Sequence, residues 1–228
     1  MVILFKRNQE LTEKVKKYCK KIKVDVVGFS DVQHFDQFPE YNRPEIYLEN
    51  SKTVIILGLH LFDLNLDVWT DYSLKGFGYQ FADQILANFC NKVKNFITEF
   101  DYESKVVPYQ PGLYLKDAAV LAGIGPIGKN NLLITKKFGS QVRLRALVTR
   151  APLVCGKPIT ENRYCENCQK CIDACPATAL QNGHYKKDRC YEYQITHLNQ
   201  LSKYSSIWCN ICIESCPIGK DKKKKKFH

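Results

Sequence analysis

Between residues 9 and 23, Leu11, Val15, Tyr18, Cys19 and Ile22 recur at helical intervals while lysines fill the other faces. This pattern predicts an amphipathic surface helix with Cys19 as a core thiol. Residues 24–29 read as a first strand. Residues 35–44, rich in aromatics and interrupted by Pro39 and Pro44, read as an irregular crossing segment. Residues 52–59, β-branched at Thr53, Val54, Ile55 and Ile56, form a buried strand. Over residues 76–100, Phe81, Ile85, Phe89, Val93, Phe96 and Phe100 fall on one stripe, which predicts a long helix covering the sheet, with Cys90 as a packed thiol beside the stripe. Residues 104–107 make a short strand, and Pro108, Pro111 and Gly112 mark a turn-rich linker. Alternation of Val142, Leu144, Ala146 and Val148 predicts a half-buried strand over 142–149. Residues 152–162, with Gly156 and Pro158, read as a linker in which Cys155 is a free thiol.

Residues 116–135 break the periodicity. Asp117 opens a short helix to residue 122, where an aspartate cap is worth about 1 kcal/mol, and residues 131–135 read as a strand. Gly123, Gly125 and Gly128 spell G-x-G-x-x-G, and Gly123 to Lys129 followed by Asn130 approaches a phosphate loop. Neither nucleotide motif holds. Both need a strand before the glycines and a helix after them, the reverse of the order here, and Asn130 lacks the hydroxyl that would bind magnesium. What remains is a glycine loop whose backbone can approach a flat or bulky ligand.

The last third is organised by cysteines. Cys165, Cys168, Cys171 and Cys175-Pro176 read as C-x2-C-x2-C-x3-C-P, and Cys209, Cys212 and Cys216-Pro217 repeat the last three cysteines of that pattern. Such spacing wraps three thiolates round one cubane and sends the fourth to the other. One [4Fe-4S] cluster is therefore expected on Cys165, Cys168, Cys171 and Cys216. The second takes Cys175, Cys209 and Cys212; Ser206 stands where a full repeat would place its fourth ligand, so Cys190 is the candidate, with a spare buried thiol as the alternative. Structural zinc is the main rival, two ions with four thiolates each, although zinc sites usually space their ligands as two separated pairs. His34, His60, His184 and His197 are scattered singly and suggest no catalysis or metal binding.

The 228 residues, 45% hydrophobic and 25% charged, suit a soluble protein with one full core and a small satellite domain. The apolar run before Lys6-Arg7 is too short for a signal peptide, and residues 54–62 are far too few to span a membrane. A reducing cytoplasm is expected, which disfavours a disulfide framework. Of the net charge of +11, +5 sits on residues 220–226, leaving +6 elsewhere, and each cluster with its thiolates would subtract about 2 more. The folded body is thus weakly basic. The lysine run is either a solvated tail or a nonspecific contact for RNA or acidic partners.

Taken together, Leu115-Lys116-Asp117-Ala118-Ala119-Val120-Leu121-Ala122-Gly123-Ile124-Gly125, Gly128-Lys129-Asn130 with Leu132-Leu133-Ile134, and both cysteine motifs resemble epoxyqueuosine reductases and, more distantly, reductive dehalogenases. The resemblance runs from about residue 24 to 217. It implies an α+β fold: a nitroreductase-like, cobalamin-binding sheet-and-helix domain (1–155), a two-cluster ferredoxin-like domain (156–219) and a lysine-rich tail (220–228). It also implies that Asp117 is the proton donor, that Gly123, Gly125, Gly128, Lys129 and Asn130 lie at the cofactor, and that Arg143 and Leu144 lead toward the cluster domain. Tyr109 and Tyr114 are the fallback acids. The expected function is an iron-sulfur oxidoreductase passing electrons from a ferredoxin or flavodoxin through both clusters to cobalamin, which reduces a substrate. The alternative is an electron carrier that serves a partner protein and has no substrate of its own. The chain stops soon after Pro217, whereas full-length reductases continue into helical repeats that help hold tRNA, so the substrate, small molecule or tRNA, stays open.

Overall fold

The computed structural model describes residues 6–70, 79–181 and 184–219. The lysine run and residues 76–78 of the expected long helix lie outside them. Asn8 caps α1 (Gln9–Lys21), its side chain accepting the Leu11 N–H at 2.9 Å. β1 (Val26–Asp31) starts two residues later than the pattern suggests, because Val24 N–H still donates back to the Cys19 carbonyl at 3.0 Å after Lys23 has turned left-handed (φ 66°). The expected crossing segment follows as three short 3-10 turns between residues 32 and 46.

β2 (Thr53–His60) is followed by two short strands, β3 (Val68–Thr70) and β4 (Tyr79–Gln80), then by α2 (Phe81–Thr98) and β5 (Ser104–Val106). α3 (Leu115–Leu121) and β6 (Val142–Thr149) complete the body. The main sheet has the order β1-β2-β6-β5 and is antiparallel throughout, with Ile55 opposite both Phe29 and Leu147. One face, with Val54, Ile56, Ala146 and Val148, packs under the alanines of α3; the other, with Ile55, Leu57 and Leu147, packs under α1 and α2.

Three expectations are corrected here. β6 is buried on both sides from Ala146 onward instead of on one, since helices cover both faces. The buried stripe of α2 is Ala82, Leu86, Cys90, Val93 and Ile97, one position round from the predicted one, and Phe81 is 57% exposed. Small and branched side chains let the helix sit close to the sheet, while Phe96 moves to the flank and stacks on Tyr18 of α1 with ring centroids 4.2 Å apart. Residues 131–135 form only isolated bridges, Ile127 with Leu133 and Thr135 with Gly139, because Asn131 is left-handed (φ 58°) and the segment folds back on the glycine loop.

The cysteine-rich third is built from short pieces: α4 (Lys170–Asp173), the ribbon β7 (Leu180–Gln181) and β8 (His184–Tyr185), α5 (Lys187–Thr196), β9 (Asn199–Ser202), β10 (Ser205–Ile207) and α6 (Ile211–Glu214). β10 pairs with β3, so a second sheet, ordered β4-β3-β10-β9, ties this module to the body. No helix among the described residues is long and apolar enough to cross a membrane.

Candidate functional site

The cysteine motif is anchored before it begins. Asn162 donates to the Ile127 carbonyl at 2.8 Å and accepts the Tyr164 N–H at 3.1 Å, which fixes the start of the cysteine loop on the glycine loop. A 3-10 turn over Arg163–Cys165 and the single turn of α4 then bring Cys165, Cys168 and Cys171 to one small cavity, and Cys216 enters it from the far end of the module. Cys175 leaves α4 on the other side. With Cys190 of α5 and with Cys209 and Cys212, it lines a second cavity of about 400 Å³. The eight thiols are thus grouped four and four, with Cys175 and Cys216 exchanged between the motifs.

Burial and the neighbouring thiols together set the thiol electrostatics. Burial raises the Cys171 thiol above its ordinary value, and Cys165, Cys216 and Cys168 add to the effect. Cys212 is pushed up to about 12 by burial, with further contributions from Cys209, Cys190, Cys171 and Cys175. Thiols that oppose each other's ionisation in this way are held protonated, and a bound metal would take their protons off. Among the described residues, no three His, Cys, Asp or Glu side chains close on a point that one metal ion could occupy. Sulfur-only donors with no carboxylate in either foursome fit the cluster.

Sequence reasoning missed the groups that touch these sulfurs. Gln194 donates to Cys190 Sγ at 3.1 Å, and the Ala179 N–H to Cys175 Sγ at 3.4 Å. The Tyr185 hydroxyl is raised well above the phenol range, first by burial and then by its hydrogen bond to Cys190. The i,i+4 spacing of Cys190 and Gln194 within a helical stretch was a readable signal for the first of these contacts.

Two glycines of the loop are required by the chain's own packing. A Cβ on Gly123 would meet the Lys157 carbonyl oxygen at 2.7 Å, and one on Gly125 the Ile134 carbonyl oxygen at 2.1 Å. The close approach that Gly123 and Gly125 permit is to the chain itself. Lys129 Nζ donates to the Cys168 carbonyl at 3.0 Å, and the Asn130 side chain, 5% exposed, reaches the Cys212 carbonyl at 3.4 Å. Both hold the cysteine loops in place, and Asn130 also lines the two cysteine cavities.

Asp117 lies in the first turn of α3, two positions inside the helix. Tyr114 is the N-cap residue and makes no side-chain cap bond, so the expected aspartate cap is not formed. Asp117 lines a separate cavity of about 270 Å³ with Gln37, Phe38, Glu161 and Asn162, and no cysteine. Its neighbour Lys116 lines the larger cysteine cavity instead and donates to the Asn131 carbonyl at 2.7 Å. Burial lowers the pKa of Lys116, and Asp117 partly offsets the shift. Arg143, paired with the buried Asp67, lines the same cavity, as does Trp208. Tyr109 sits under the Arg145 guanidinium, 4.7 Å from ring centroid to Cζ, and Tyr114 packs on Phe38 with centroids 5.2 Å apart; neither lines the cysteine cavities.

The chain resembles epoxyqueuosine reductases. It is 24% identical to one from Lactococcus garvieae over 93% of its own length and 70% of the relative's. A crystal structure of epoxyqueuosine reductase with an epoxyqueuosine-modified tRNA-Tyr stem loop superposes with a TM-score of 0.70 at 22% identity, covering 96% of this chain and 67% of that one. A reductive dehalogenase, whose structure suggests a mechanism for B12-dependent dehalogenation, superposes at 0.68 with 15% identity, covering 93% of this chain and 32% of that one. These likenesses show a shared mixed helix-and-sheet fold. The chain spans 63–70% of the length of three curated reductases that it matches. No protein-family model matches it.

Proposed function

We propose that the protein is an iron-sulfur oxidoreductase of the epoxyqueuosine reductase type, in which a two-cluster ferredoxin-like module (156–219) serves a nitroreductase-like, corrinoid-binding body (1–155). The observation that carries this reading is the crossed grouping of eight thiols, with the second foursome opening on a cavity whose other wall is made by Lys116, Asn130, Asn131 and Arg143 of the body. When bound, two [4Fe-4S] clusters supply one-electron carriers and a corrinoid supplies the two-electron reductant. Cys165, Cys168, Cys171 and Cys216 hold one cluster, and Cys175, Cys190, Cys209 and Cys212 the other. A cavity of about 400 Å³ is of the size that takes a drug-like ligand and is too small to enclose a whole cobalamin, so the corrinoid rests on the resemblance alone. The electron donor is a ferredoxin or flavodoxin acting in a reducing cytoplasm. The tRNA bound by the related reductase is the leading candidate substrate, with a small molecule as the alternative.

Reduction at carbon requires a proton, and two adjacent residues can give one. Lys116 faces the cysteine cavity, and its lowered pKa makes its ammonium a better acid at neutral pH. Asp117 serves a substrate seated in its own cavity. Replacing Asp117 with Asn or Lys116 with Met and measuring single-turnover reduction separates them: the true donor loses about 10²-fold or more, and the other stays within a few-fold. Full turnover by Asp117→Asn excludes that residue.

Anaerobic reconstitution with iron, sulfide and cobalamin, followed by visible and EPR spectroscopy, tests the whole reading. About eight irons per chain with a base-off cobalt signal support the enzyme. Clusters without cobalamin uptake support the carrier, and tightly bound zinc ends both.

A further inference from the structure

The Gly128-Lys129-Asn130 turn reaches both cysteine foursomes, and it brings a different charge to each. Lys129 Nζ donates to the Cys168 carbonyl at 3.0 Å and reaches that of Glu166 at 3.5 Å. A cation is thereby fixed on the loop between Cys165 and Cys168, in the wall of the cavity these share with Cys171 and Cys216. One residue on, Asn130 Nδ2 reaches the Cys212 carbonyl at 3.4 Å, while its Oδ1 accepts the Leu132 N–H at 3.2 Å. The second foursome thus receives a neutral dipole from the turn, and its sulfurs Cys190 and Cys175 accept further neutral donors from Gln194 and Ala179. Gly128 leaves room for the arrangement: a Cβ there would stand 2.8 Å from Asn130 Oδ1 and 2.8 Å from the Ile134 side chain.

We propose that Lys129 is a positioning residue that sets the two clusters at different reduction potentials, raising that of the cluster on Cys165, Cys168, Cys171 and Cys216 and leaving the other nearly unchanged. The proposal rests on the iron-sulfur reading above. A cubane with four thiolates is already anionic, and each reduction adds one more negative charge. A cation held in its partly buried wall stabilises the reduced form more than the oxidised one. Amide donors act in the same direction but carry no net charge. The turn therefore adds a full charge at one site and only neutral dipoles at the other, whose cavity already has Lys116 and Arg143 of the body in its wall, so a change at Lys129 acts on the first site selectively.

The full chain, loaded anaerobically with iron and sulfide, is titrated with mediators and dithionite while EPR follows each cluster. In Lys129→Gln, one midpoint falls so that about tenfold less of that cluster is reduced at a given potential, about 59 mV for one electron, and the other moves by less than twofold. Lys129→Arg restores most of the loss. Should the Gln variant bind less iron, N-acetyl-lysine placed at position 129 keeps the stem and one N–H without the charge, and the same selective fall is expected. Movement of both midpoints together, no movement in either neutral variant, or no recovery with Arg overturns the proposal. Absence of two clusters from the unmodified protein is a different failure and overturns the iron-sulfur reading beneath it.

Discussion

The sheet body and the cysteine module are stabilised by different means. In the body, Val54, Ile55, Ile56, Leu57, Leu147 and Val148 are fully buried, and helices cover both faces of the sheet. In the module, α5 and α6 bury no residue at all, β9 is exposed along its length, and the buried apolar set is little more than Cys171, Ala179, Leu180, Ile207 and Cys216. Apolar burial at about 25 cal/mol per Å² suffices for the first region. The second is of a size and composition at which small folds call on metals or cross-links. If the eight thiols bind clusters, ligand binding supplies the folding free energy that the module's thin core lacks.

The largest test of this contrast is preparation without iron. Amide exchange in the iron-free protein should stay slow across residues 53–60 and 142–149, and should become fast across residues 163–216, except where β10 pairs with β3. Equal protection of the module with and without iron would show that it folds on apolar contacts alone.

A smaller effect follows from the exchange of ligands between motifs. Cys175 lines one cavity with Cys190, Cys209 and Cys212, whereas the three cysteines that precede it in sequence line another with Cys216. Cys175→Ser should therefore leave about half the iron, on the Cys165 side. Selective loss of the cluster beside Cys165 would contradict the assignment.

How legible all this was in the sequence also divides along the same line. The spacing of Cys165, Cys168, Cys171 and Cys175, with its partial repeat, was readable as a set of neighbouring thiols, because short loops constrain where thiols can point; the structure lines one cavity with Cys165, Cys168, Cys171 and Cys216 and another with Cys175, Cys190, Cys209 and Cys212. The strand at 142–149 was readable in extent but not in its double-sided burial, since alternation in β6 reports one face only and Leu147 meets its helix through tertiary packing. The stripe of α2 was misplaced by one position because large aromatics dominate a periodicity count, yet small residues pack closest to a sheet. The glycine loop was legible only in part for a related reason. Gly123 and Gly125 signal a close backbone approach, but nothing local says that the approaching group is Lys157 or Ile134. Asp117 and Lys116 are adjacent in sequence and open on different cavities, a distinction that only the placement of α3 decides.

The smallest effect concerns the cysteines that are not proposed as ligands. Cys19 and Cys90 are fully buried, and burial pushes both thiols up to about 12. Half-buried Cys155 is pushed up to about 11, again mainly by burial. A raised thiol pKa means less thiolate at a given pH: at pH 8 roughly one part in 10⁴ for the first two and one in 10³ for Cys155, against about a quarter for an ordinary thiol. Iodoacetamide at pH 8 should therefore label Cys155 about tenfold faster than Cys19 or Cys90 from ionisation alone, and faster still once access is counted, with labelling rising as pH increases toward 10. In iron-free protein the module should open and lose the burial that raises Cys171, Cys209 and Cys212, so its eight thiols should react first while Cys19 and Cys90 remain protected by the sheet body. Early labelling of Cys90 in that state would mean that the body, too, depends on the metal, and the contrast between the two regions would not hold.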